Sequence, residues 1–118
     1  MRSRLLLLAA GAAFLAACKS STSPSGGGGH STTITVGNNF FSPTPDTVTS
    51  GSPVTWSWGA SSNPHTVNWD SGPTGAALPP NSGAAQTSGT YSATHTTVGP
   101  YNYHCSVHTG MTGVMVVK

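Results

Sequence analysis

The sequence predicts an all-β chain folded as a Greek-key β-sandwich of about seven short strands. From Thr32 onward polar and apolar residues alternate with a period of two, and no window sustains a helical repeat. Gly, Ser, Thr and Pro are abundant, and only 5% of the 118 residues are charged, against about 25% in an ordinary soluble protein. Turn residues separate one short apolar stretch from the next, as strands joined by tight connections require.

The first element is not part of that domain. Arg2 and Arg4 precede an apolar run from Leu5 to Ala17, the charged-then-apolar order of a secretory signal. The run is shorter than the roughly 20 apolar residues of a membrane-spanning helix. It ends in Leu15-Ala16-Ala17-Cys18, which resembles the bacterial lipobox. Residues 1–17 are therefore expected to be a signal peptide. Cys18 is expected to carry acyl chains that hold the protein at a membrane surface, each buried methylene contributing about 0.8 kcal/mol. The alternative is an ordinary signal peptide that happens to contain a cysteine. Residues 18–31 then form the lipidated cysteine and a Gly/Ser tether containing four consecutive glycines, in which His30 is a solvated linker residue. The expected location is the periplasmic or cell-surface side of a bacterial membrane. Lys19, in place of an Asp after the lipobox, leans that expectation towards the outer membrane.

Residues 32–118 form the folded domain. Strands are expected at Thr33 to Val36, at Asp46 to Thr49 after Pro43 and Pro45, and along Val54, Trp56 and Trp58 after the Gly51-Ser52-Pro53 turn. His65 to Trp69 is the next. The stretch from Asp70 to Gly89 has no clear period and reads as a long connection with at most short ordered pieces. Strands resume at Tyr91 to Thr97, turn at Gly99-Pro100, run through Tyr101 to Cys105 and finish at Val114 to Val117.

Charge excludes one class of partner. Beyond Arg2 and Arg4, the lysines Lys19 and Lys118 balance Asp46 and Asp70, so no basic cluster is present to neutralise phosphates and nucleic-acid binding is not expected. Cysteine usage raises a question instead. With Cys18 acylated, Cys105 has no partner in the chain, and a lone thiol in an exported protein needs a chemical task or an intermolecular bond.

The surrounding sequence supplies the task. Tyr101-Asn102-Tyr103-His104-Cys105-Ser106-Val107-His108-Thr109-Gly110-Met111 places a thiolate, an imidazole and a thioether in one loop at the spacing C-x-x-H-x-x-M. Soft sulfur ligands with imidazole select copper, and two His with one Cys and a distant axial Met is the blue-copper arrangement. The loop supplies one of the two histidines. His65, in Asn63-Pro64-His65-Thr66-Val67, begins a strand that a neighbouring strand could bring alongside. Alternation along Tyr101, Tyr103 and Cys105 turns His104 to the other face, so His104 is not expected to bind. His95 and Met115 read as structural, and Trp56 and Trp58 as core aromatics.

With these residues in view, the domain resembles the cupredoxins, the superfamily of plastocyanin, amicyanin and azurin. The likeness runs from Ile34-Thr35-Val36 through Asn39-Phe40-Phe41-Ser42-Pro43 and Gly51-Ser52-Pro53-Val54-Thr55-Trp56 to Val117. The interval from His108 to Met111 is the short one of amicyanin rather than the longer one of plastocyanin. The resemblance implies one type 1 copper, cycling between Cu(I) and Cu(II). His65, Cys105 and His108 would be its equatorial ligands and Met111 its weak axial one. It also implies a monomer that passes single electrons between a redox donor and acceptor, docking briefly near His108, with no catalytic reaction. One departure stands out: where many members carry Asn after the first His to brace the ligand loop, this chain has Thr66.

Other readings keep distinct signatures. A copper carrier or buffer would use the same ligands and release the ion to an acceptor. Multicopper oxidases and copper nitrite reductases need further His-rich sites, and the binuclear oxidase centre needs two loop cysteines; neither pattern is present. A structural zinc site fits poorly because Met is an unusual zinc ligand.

Overall fold

The computed structural model describes residues 33–59 and 61–118. The apolar leader, Cys18, the tether and His30 lie outside the described residues.

Eight strands follow in order: β1 (Thr33–Gly37), β2 (Phe40–Ser42), β3 (Asp46–Val48), β4 (Pro53–Ser57), β5 (Asn68–Ser71), β6 (Thr90–Thr94), β7 (Gly99–His104) and β8 (Thr112–Val117). They form two four-stranded sheets, β2-β1-β4-β6 and β3-β8-β7-β5. Each sheet is mixed: β1 runs parallel to β4 and β3 parallel to β8, while the remaining neighbours are antiparallel. This is the all-β sandwich the alternation predicted.

The period-two pattern explains which side chains fill the space between the sheets. In β1, Ile34 and Val36 are buried while Thr33 and Thr35 are exposed. Val54 and Trp56 do the same in β4, Tyr101 and Tyr103 in β7, and Met115 and Val117 in β8. The centre is aromatic. Trp56 meets Trp69 and Tyr103 edge to face at 5.4 and 5.5 Å, and Phe41 meets Tyr103 at 4.9 Å. Such pairs contribute about 0.5–1.5 kcal/mol each beyond area burial. Gly113, opposite Tyr103 across the β7–β8 ladder, has no room for a Cβ because the Tyr103 ring lies against it. The tyrosine two residues before Cys105 is thereby wedged in one position.

Three expectations are refined. Phe40–Ser42 is an additional strand, three residues long and paired with β1. Gly99 and Pro100 open β7 rather than turning before it; Gly99 adopts a φ of 136°, and Pro73 packs where a side chain would stand. The strand expected from His65 begins at Asn68, because residues 65–67 pair with the long connection instead. His65 and Gln86 form an isolated antiparallel bridge, Ser82 N–H donates to the Val67 carbonyl, and Val67 N–H donates to Ser82 Oγ. Asp70 and Ser71, expected in that connection, belong to β5; the rest of it carries no named strand, yet it is tied to the segment before β5.

Candidate metal centre

Two elements converge at one end of the sandwich. β7 delivers Cys105 one residue beyond its last ladder pair, His104 with Thr112, and the chain then loops back into β8. The loop is closed by Cys105 N–H to the Met111 carbonyl (2.9 Å) and by Met111 N–H to the His108 carbonyl (3.2 Å). Gly110, at a φ of 84°, supplies the left-handed residue the tight return needs. On the other side, the β5–β7 register pairs Asn68 with His104, so two residues further along Thr66 comes beside Ser106. His65 is pinned through its backbone by both bonds of the Gln86 bridge (3.0 Å each) and by the Trp58 indole N–H, which donates to its carbonyl (3.2 Å).

The result is a cluster of three donors. Nδ1 of His65 and Nδ1 of His108 each stand 3.7 Å from Cys105 Sγ, and the metal-binding atoms of the three residues lie within 4.8 Å of one another. His65 is 0% exposed, Cys105 and Met111 are buried, and His108 is half-buried. A first-row ion gives the scale for the fit. Zinc bonds of about 2.3 Å to thiolate and about 2.0 Å to imidazole, set at about 120°, place sulfur and nitrogen about 3.7 Å apart. Both observed separations match that value. They exceed a good hydrogen bond, so the groups are spaced for a shared ion rather than for each other.

The sulfur is prepared for the thiolate state. Burial pushes the Cys105 thiol up. The Thr66 N–H (3.4 Å), contacts from His108 and His65 and the Val107 N–H outweigh it, leaving the thiol at about 6, well below its ordinary value. Thr66 has a second role. Its Oγ1 accepts the Ser106 N–H (2.9 Å), shares a hydrogen bond with Ser106 Oγ (2.9 Å) and sits 3.9 Å from Sγ. A hydroxyl clasp thus ties the His65 segment to the ligand loop where many cupredoxins use an amide.

The remaining candidates fall outside the cluster. His104 faces away, and its Nδ1 is 2.7 Å from Asp70 Oδ1, where an irregularity in β5 interrupts the ladder. His95 is buried at the far side against Trp69 and Tyr101, with ring centroids 4.6 and 4.4 Å away. Met115 lies in the core. Gln86 was not singled out by the sequence, since it lies in the patternless connection and only the bridge to His65 reveals it.

Comparison with solved structures accords with this geometry. A point mutant of amicyanin in its reduced state is 30% identical over 73% of this chain and 80% of its own, with a TM-score of 0.58. The chain belongs to the cupredoxins. A purple cupredoxin from Nitrosopumilus maritimus shares the fold at 24% identity and TM-score 0.62, covering 73% of this chain and 98% of its own. A mutant fern plastocyanin shares it at 23% and 0.60, covering 73% and 99%. No protein-family model matches the chain, and no curated protein matches it. For this cupredoxin, family and donor set together specify one type 1 copper as the cofactor. In general terms they make the chain a blue copper electron-transfer protein.

Proposed function

We propose that this cupredoxin is a lipid-anchored, extracytoplasmic electron carrier whose copper is held by His65, Cys105 and His108 in a plane and by Met111 as a weak axial ligand. The observation that carries the reading is the matched 3.7 Å separation of two imidazole nitrogens from one buried sulfur. Bound there, copper supplies a one-electron couple. The protein's part is to hold the donors still. The bridged backbone at His65, the Thr66–Ser106 clasp and the closed loop from Cys105 to Met111 leave little for the donors to rearrange when charge changes. With all four positions taken by side chains, no position is left for a substrate, and we infer no catalytic reaction.

Electron exchange is assigned to the His108 edge. His108 is the half-buried member of the cluster, its neighbour Val107 is 46% exposed, and it borders a surface cavity of about 470 Å³. Among residues 33–118, Asp46 is buried and Asp70 is paired with His104. Docking by a redox donor or acceptor is therefore brief and not strongly steered by charge. The anchor at Cys18 and the membrane-facing location rest on the sequence features of residues 1–31, and the monomer rests on the resemblance to the cupredoxins.

Voltammetry with a chelator present tests function against copper delivery. The copper-loaded protein should cycle reversibly by one electron while keeping its metal in both states. Loss of copper to the chelator on reduction would favour a carrier.

A further inference from the structure

His65 presents a problem that its neighbours can solve. Nδ1 faces the shared sulfur, which leaves Nε2 at the other edge of a fully buried ring. A neutral imidazole that gives the lone pair of Nδ1 to a metal carries its proton on Nε2. Nε2 of His65 is sealed from solvent and has no hydrogen-bond partner among the described residues. A buried donor left in that state costs its full desolvation penalty.

The residue directly opposite is Gln86. His65 N–H donates to the Gln86 carbonyl and Gln86 N–H to the His65 carbonyl, both at 3.0 Å. A pair that exchanges both bonds projects its two side chains from the same face of the ladder, with Cβ atoms about 5.5 Å apart. The Gln86 amide also has a sealed nitrogen, Nε2, with no partner among the described residues. Two facing residues thus each bury a nitrogen donor, and neither finds an acceptor. Amide oxygen and nitrogen are nearly equal in shape, so half a turn about the last torsion of Gln86 exchanges them. The oxygen then faces inward as an acceptor. The backbone on either side of the pair is tied to Trp58: Gly89, at a φ of 95°, accepts the Trp58 N–H (3.0 Å), and the Trp58 indole donates to the His65 carbonyl.

We propose that Gln86 is a positioning residue for the metal centre, its amide oxygen accepting the Nε2 proton of His65 and so fixing the tautomer and orientation that aim Nδ1 at copper. The inference rests on His65 being a copper ligand through Nδ1. An outer hydrogen bond of this kind raises the ligand's basicity, and its loss typically costs 10–100-fold in metal affinity.

The test uses the full chain loaded with Cu(I), which is diamagnetic, and two substitutions of similar length. In the wild type, nitrogen-15 NMR should show one histidine ring proton on Nε2 that exchanges slowly with water and belongs to His65. Q86M removes the acceptor. It should abolish that protection and weaken Cu(I) binding, measured by competition with a chelator, by about 10–100-fold. Q86E keeps an acceptor and removes the donor, and should preserve both. The proposal is overturned if the wild-type proton exchanges freely, if Q86M binds Cu(I) as tightly as wild type, or if Q86E weakens binding as much as Q86M. Failure of the underlying site assignment looks different: the wild-type Cu(II) protein would then lack an intense visible sulfur-to-copper band.

Discussion

The loop from Cys105 to Met111 is closed on itself by two backbone bonds and a β7–β8 pair, whereas the segment carrying His65 is held by Trp58 in the preceding turn and by Gln86 and Ser106, which are remote in sequence. Both reach the same sulfur, yet by different physics. The loop is a hairpin tip whose donors are near one another whatever the rest of the chain does. The His65 arm is placed by strand register and by pairing with the long connection, so its donor exists only in the folded sandwich. Half of this metal centre is local chemistry and half is topology.

The two histidines differ in burial as well, and substitution should expose that difference most strongly. His108→Gly opens onto the surface cavity lined by Asp70, His104 and Thr112, so added imidazole should enter and restore most of the visible band. His65→Gly leaves a hole in a fully buried position, and the same imidazole should restore far less of the band than in His108→Gly. Equal rescue at both positions would mean that the His65 arm opens readily to solvent.

A smaller effect is expected within the loop. Met111 is buried, and its backbone, not its sulfur, closes the loop. Met111→Leu should therefore keep the fold and the copper while removing a weak donor that favours Cu(II). The reduction potential should rise by about 60 mV or more, the equivalent of a tenfold change in relative affinity for a one-electron couple. Complete loss of copper would show Met111 to be a primary ligand.

The smallest effect concerns the side of the core away from the metal. Burial holds His95 down to about 4, below the ordinary 6.5. A histidine kept neutral in the fold takes up its proton on unfolding, so stability is full above about pH 6.5 and declines as pH falls towards 4. The unfolding midpoint of the copper-free domain should drop over that window. His95→Phe should flatten the drop, and an unchanged slope would place the acid-sensitive group elsewhere.

What could be read from the sequence follows the same division. The alternation of Ile34 and Val36, of Val54 and Trp56, and of Tyr101 and Tyr103 marked the inward face of each sheet, because a strand with one face in the core must repeat every two residues. Cys105, His108 and Met111 declared themselves by spacing, and the same alternation turned His104 outward. His65 could be matched to them only through an assumed sandwich. Gln86 and Ser82 gave no signal, since hydrogen bonds from an irregular connection leave no period in the sequence. The substitution of Thr66 was visible as a departure, but its clasp with Ser106 appears only when the two segments are side by side.

The proposed centre has one sulfur and two imidazoles sharing a copper ion in a trigonal plane. Its most direct test is the visible absorption and paramagnetic-resonance spectrum of the copper-loaded protein, recorded beside Cys105→Ser. The wild type should show an intense sulfur-to-copper charge-transfer band and a narrow copper hyperfine splitting, both lost in the variant. A variant that stays coloured, or a wild type with only the weak bands of tetragonal copper, would contradict it.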